Sequence, residues 1–401
     1  MQERMAALED RLAATSEELR SARDTLDRQQ ALLSEAGLGD EDDRAIRSGI
    51  GAFVEAVEIS GLAAASFNYR FIDAGDNDGL GVAGSNGGAT NDSFFRHPNA
   101  NSFQVDQIWI RLDKSPTEES RAGFHADLVW GETAEVQGGD RESGLLYTGY
   151  VSYLAPVGQG VQIDAGKLAT PLGAETIKAD ENFNITQGAL FGLRPVTHVG
   201  VVASTELADG VTATAGVVNE VYRDTNVSVD RDKAYYAQLA IAGDLLGFNL
   251  GAIVGEDPTS ARCDTSQTDC NTAVFDAVLT ASPSENLETW INFDWVRIFG
   301  SDAKDADKMG VAGAARLAIS DSTGIAGRIE YVFEEATSLG AGTPDDAELL
   351  TLTATVDHEL AEELVLRGEL RYDRELEDDA RRFSSGDADQ LVGLVEMFYG
   401  F

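Results

Sequence analysis

The sequence predicts an all-β transmembrane barrel of about sixteen antiparallel strands, preceded by an α-helical coiled coil. Hydropathy alternates with a period of two from about residue 57 to 401, and tight and long connections alternate along the same region. No stretch approaches the ~18 to 20 consecutive apolar residues that a membrane-spanning helix requires, so a helical membrane protein is excluded. High glycine and low proline (41 and 8 residues) suit many strands with polar connections better than a helical enzyme.

The helix comes first in the chain. Met5, Leu8, Leu12, Thr15, Leu19, Ala22, Leu26, Gln29 and Leu33 are spaced alternately by three and four, which is a coiled-coil seam. Such a helix is marginal alone in water and calls for partners, with Met5, Leu8, Leu12, Leu19, Leu26 and Leu33 as the oligomerisation contacts. Thr15 and Gln29 weaken the seam, so it adds register to an assembly held together elsewhere; a single amphipathic helix lying on the rest of the protein is the alternative. The expected organisation is a periplasmic coiled-coil helix at 1–36, a linker and short helix at 37–56, and a barrel at 57–401. The residues around Met1 are charged and amphipathic and form no secretory leader, so export predicts that a leader has been removed.

Strands are expected near 57–72, 103–113, 121–131, 145–155, 160–168, 196–206, 210–219, 232–243, 246–255, 272–283, 286–298, 308–320, 324–335, 347–358, 362–374 and 389–401. In the segment from Leu364, for example, Leu364, Leu366, Leu370 and Tyr372 alternate with Arg367, Glu369, Arg371 and Asp373. Four ionisable residues in a row on one face would be costly in a dry core and are ordinary in an aqueous lumen. In hydrocarbon every backbone polar group must be paired within the protein, so a β protein spans only as a closed barrel. About sixteen strands then enclose a channel rather than a packed core. A soluble sandwich or β-helix is the competing fold, but it gives no reason for the long connections to gather at one end, and no repeat of fixed length is visible.

Function classes narrow accordingly. With 69 acidic against 30 basic residues, a formal charge of −39, the chain lacks the basic clusters that nucleic acid requires, and no nucleic-acid partner is expected. The acidity suits a solvated surface facing cations or salt. Cys263 and Cys270 flank a polar stretch and read as a disulfide of an oxidising compartment, with two free thiols as the alternative. His97, His125, His198 and His358 are scattered and show no metal spacing, so no metal centre is expected. Asp73, Asp76 and Asp78 resemble part of a calcium loop that no correctly placed Glu completes, and Ca2+ at acidic extracellular loops is the candidate ion there. No nucleophile elbow, phosphate loop or His-Ser pairing stands in a convincing context, and no enzyme activity or catalytic residue is expected.

The last residues, Val395, Met397, Tyr399 and Phe401 on one face with an aromatic at the end, resemble the terminal strand by which outer-membrane proteins are recognised for assembly. The stretches from Val57 to Phe71, from Phe103 to Lys114, and from Tyr150 through the segment starting at Asp164 resemble the OmpL-like outer-membrane β-barrel porin family, whose members commonly start with a coiled coil. The resemblance spans most of the chain. It implies a pore for small solutes in the bacterial outer membrane and, with the heptads, a homotrimer surrounded by outer-membrane lipid.

On this reading the lumen-facing charges are Arg111, Asp127, Asp164, Arg316, Arg328, Glu330, Arg367, Glu369 and Arg371. Their mixed signs predict weak ion selectivity, tilted toward cations by the acidic excess; for any one of them a cross-strand structural pair is the alternative role. The long amphipathic connection 169–195, with Lys178, Asp180, Glu181 and Arg194 beside Leu190, Phe191 and Leu193, is the candidate for a loop that folds inward and narrows the barrel, an ordinary surface loop being the alternative. The expected function is passive diffusion of small hydrophilic solutes and ions. The competing one is a structural anchor whose coiled coil tethers the barrel to peptidoglycan or a periplasmic partner.

Overall fold

A computed structural model describes residues 56–71, 96–222, 233–256, 270–300, 306–335, 346–377 and 388–401. The coiled-coil positions, the linker, Asp73, Asp76, Asp78 and Cys263 lie outside the described residues. Cys270 is buried beside Ile298.

Alternating apolar and polar side chains favour extended backbone with one face turned each way. Sixteen strands are present among the described residues: β1 (Glu58–Arg70), β2 (Phe103–Lys114), β3 (Ala122–Trp130), β4 (Leu145–Ala155), β5 (Val161–Ala169), β6 (Thr197–Ala208), β7 (Val211–Val218), β8 (Ala234–Ala242), β9 (Leu246–Glu256), β10 (Asn271–Ser284), β11 (Leu287–Phe299), β12 (Ala306–Ser320), β13 (Thr323–Glu334), β14 (Ala347–Ala361), β15 (Leu364–Glu375) and β16 (Asp389–Gly400). Each pairs with its sequence neighbour, and β1 pairs with β16 to close the barrel. The closing register runs from Leu62 opposite Gly400 to Arg70 opposite Val392, antiparallel throughout. Closure removes every sheet edge, which a lipid-immersed sheet requires.

The turns at one end are short. Asp209–Gly210 closes β6 onto β7 with Gly210 at φ 69°, and a Cβ there would lie 2.4 Å from the Ala242 carbonyl oxygen, so glycine meets both the twist and the space. Long connections occupy the opposite end. One of them carries a short helix, α1 (Glu132–Val136), that the sequence pattern did not indicate. Arg141 clamps its Glu132 through Nε to Oε2 (2.7 Å) and Nη2 to Oε1 (3.1 Å), bonds that raise the arginine's affinity for its proton. In the same connection the Ser143 and Glu142 amides hold the exposed Asp140 carboxyl below its usual range.

The outer wall is apolar. On β13 Ile325 and Ile329 are exposed while Arg328 and Glu330 between and beyond them are buried on the inner side. Val395, Met397, Tyr399 and Phe401 are all exposed on the outside, as the last strand's alternation requires.

Candidate functional site

The connection from β5 to β6 does not leave the barrel. It runs through the interior, and its backbone is held by side chains from walls on several sides. Peptide groups taken out of bulk water need partners, and the inward-facing residues supply them by sign. Carboxylates receive the loop's N–H groups. Glu369 accepts from the Ile185 amide (2.6 Å), the Thr186 amide (3.1 Å) and the Thr186 hydroxyl (2.6 Å), and Glu330 accepts from the Ala189 and Leu190 amides at 3.3 and 3.4 Å.

Guanidiniums cap the loop's carbonyls. Arg328 donates to Thr186 (2.6 Å), Arg367 to Ala179 (2.8 Å) and Arg371 to Gln187 (2.7 Å). Gln107 on β2 bonds the Ile177 carbonyl and the Ala179 amide at 2.6 and 3.1 Å, and Asn292 on β11 accepts from the Ala174 amide at 2.9 Å. Gln238 on β8 reaches the Pro171 carbonyl at 2.8 Å. The loop is thus strung between β2, β8, β11, β13 and β15.

Apolar packing completes the attachment. Leu172, Leu190 and Leu193 bury against Tyr236, Ile253, Val274, Trp290, Val332 and Leu349 from the strands. Ile177, Ala179 and Phe191 join a second cluster with Trp109, Val129, Tyr147 and Phe398. Gly188 passes the Glu330 carboxylate so closely that a Cβ would lie 1.8 Å from Oε1. Part of the inner wall is therefore apolar and dry, where the sequence reading expects a polar half surrounding water along every strand. Trp290, Val332 and Leu349 occupy inward positions because the loop, not solvent, faces them.

The expected lumen charges all point inward, and the loop divides them. Arg328, Glu330, Arg367, Glu369 and Arg371 are buried by it, and Asp127 is buried in the wall. Arg328 pairs with Glu175 of the loop and, at 3.1 Å, with Glu330, while Arg371 pairs with Asp373 at 2.9 Å. Asp127 accepts from Trp109 Nε1 (2.9 Å), from Arg111 through two bonds (2.9 and 3.0 Å) and from Thr148 (3.1 Å).

Arg111, Asp164 and Arg316 stay partly exposed. Arg316 donates to both oxygens of Asp357 at 2.9 and 2.7 Å. His125 lies between Asp113 (Nδ1, 2.8 Å) and Asp127 (Nε2, 3.1 Å), stacked on Tyr150.

Of the candidate loop charges, Lys178, Asp180 and Glu181 form a partly exposed tip, with Lys178 Nζ 3.3 Å from Glu181, 3.6 Å from Asp180 and over the Trp109 ring at 5.9 Å. Arg194 is buried, stacked on Phe191 at 4.4 Å and donating to the Glu175 carbonyl. It braces the loop and does not reach the tip. Glu175, Gln107 and Asn292, which anchor the loop, were not singled out from the sequence. Only the acid among otherwise apolar and small residues at 171–177 hinted at the first.

The chain matches the family model described as "Putative beta-barrel porin-2, OmpL-like" over residues 57–401. No curated protein shows significant sequence similarity to it. Among solved structures it is similar to the outer membrane channel DcaP of Acinetobacter baumannii (TM-score 0.58, 11% identity, covering 86% of this chain and 97% of that one). It is similar also to an anion-selective porin from Comamonas acidovorans (TM-score 0.57, 11% identity, 86% and 99% covered). A trimer form of OmpT from Vibrio cholerae gives the same TM-score of 0.57 at 12% identity, with 86% and 99% covered. At these identities the structural likeness shows the fold, and the family model covers most of the sequence: the chain belongs to the OmpL-like β-barrel porin family of the bacterial outer membrane.

Proposed function

We propose that the protein is a diffusion pore for small hydrophilic solutes and ions, narrowed by the 169–195 loop and preferring cations weakly. The observation that carries this reading is the loop's position across the interior with its charged tip, Lys178 to Glu181, left partly exposed beside Arg111. Solutes would pass between that tip and the partly exposed wall, a region in which Asp113, Asp164, Asp180 and Glu181 stand against Arg111, Arg316 and Lys178, a small acidic excess. No chemical step is required of any residue.

In planar bilayers under a KCl gradient the full chain is expected to give stable open-channel currents whose reversal potential indicates cation preference. Neutralising the tip with Asp180→Asn and Glu181→Gln should move that potential toward the anion side. A chain that inserts and never conducts defeats the pore reading.

The coiled-coil seam supports a homotrimer, and one similar structure is described as a trimer. Light scattering of the detergent-solubilised protein is expected to give three chains per particle, with and without residues 1–55, since the seam adds register to an assembly held together elsewhere. Monomers in both samples would count against it.

A further inference from the structure

Outside the loop contacts lies a second polar cluster, at the seam where the first and last strands meet. His97 precedes β2, Asp106 is on β2 and Glu396 is on β16, next to Ser66 of β1. All three are fully buried, and their ligand-type atoms lie within 4.8 Å of one another. His97 Nε2 is 3.2 Å from Asp106 Oδ1, a separation that two ligands of one small ion can share.

The carboxylates are incompletely satisfied. Neither oxygen of Glu396 has a hydrogen-bond partner, and Asp106 Oδ2 has none, although Asp106 Oδ1 accepts from Ser66 and Gln104. Arg96 and Arg367 approach Glu396 only to 3.7 Å, beyond hydrogen-bond range, so they offset its charge without occupying its lone pairs. A buried carboxylate in this condition is costly, and an ion that takes up the lone pairs removes the cost.

We propose that His97, Asp106 and Glu396 bind a divalent transition-metal ion. One imidazole nitrogen with two carboxylate oxygens is a ligand set suited to Zn2+ and its neighbours, whereas Ca2+ takes six to eight oxygens. Two guanidiniums nearby oppose a dication, so the site discriminates by geometry more than by charge. Bound there, the ion would fasten the segment before β2 to the strands that close the barrel. The site is independent of the transport reading.

The test uses the full chain in detergent, stripped with a chelator and titrated with Co2+. The expected result is a visible ligand-field absorption that saturates at one ion per chain and is displaced by Zn2+ but not by Ca2+. Glu396→Gln and Asp106→Asn should weaken binding by at least the ~10 to 100-fold that loss of even an outer partner of a metal ligand costs. Asp140→Asn, on an exposed connection, should leave it unchanged. No ligand-field band, or equal binding by wild type and both buried-site variants, overturns the site. If the variants do not fold, anomalous diffraction from wild-type crystals soaked in Co2+ decides: a peak among the three side chains supports the site, and its absence at saturating ion overturns it.

Discussion

Replacing residues 174–192 with a short Gly-Ser bridge is expected to raise single-channel conductance several-fold while the barrel still assembles. The strands hold one another through closed antiparallel pairing that does not involve the loop. The shortened chain would lose the inner packing of Leu190, Phe191 and the Arg328–Glu175 contact. The wall charges left behind, Glu330, Glu369 and Arg371, would then face water, where an ion needs no protein partner. Ion preference should weaken with the loss of Asp180 and Glu181. Bilayer recording against wild type measures both. An unchanged conductance would mean that the passage is narrowed elsewhere.

The second large effect is on stability. Arg328 is fully buried and serves Glu175, Glu330, the Thr186 carbonyl and, at 3.2 Å, the Thr353 hydroxyl. Arg328→Met keeps most of the volume and leaves two carboxylates without their counter-charge, so a loss of about 3–5 kcal/mol is expected, as for other buried pairs broken on one side. Arg316→Met removes a pair of similar geometry with Asp357, but Arg316 is 31% exposed, and solvent screening should hold its cost to about 0.2–1 kcal/mol. Urea unfolding in detergent, followed by the shift in gel mobility between folded and unfolded barrel, compares the two. The triple variant Arg328→Met, Glu175→Gln, Glu330→Gln should recover part of the loss, because it removes the orphaned charges. Equal effects of Arg328→Met and Arg316→Met would sink the claim that the loop seals Arg328 from water.

Much of the fold was legible because a strand's signal is local. Each residue's side follows from its neighbours' parity, so Ile325 and Ile329 against Arg328 and Glu330 already assign the two faces, and the turn at Asp209–Gly210 marks its own reversal. The small differences lie at strand ends. β14 continues to Ala361, past the expected 358, because its pairing with β15 persists to Leu364. The amphipathic character of 169–195 was also visible.

The path of the loop and the division it makes among the wall charges were not. Ile185 meets Glu369 across 184 residues of chain, and Arg328 meets Glu175 across 153. No local period encodes such partners. Read in sequence, alternating signs on β13 and β15 look like a field along an open passage; in the folded chain they are donors and acceptors matched to one loop's peptide groups. His97, Asp106 and Glu396 show the same limit, since only closing β16 onto β1 brings the last of them to the other two. Period-two patterning alone determined that this protein is a closed barrel with one apolar and one polar wall. Tertiary structure decided which polar residues still see water, because burial depends on what crosses the interior and not on the strand that presents them.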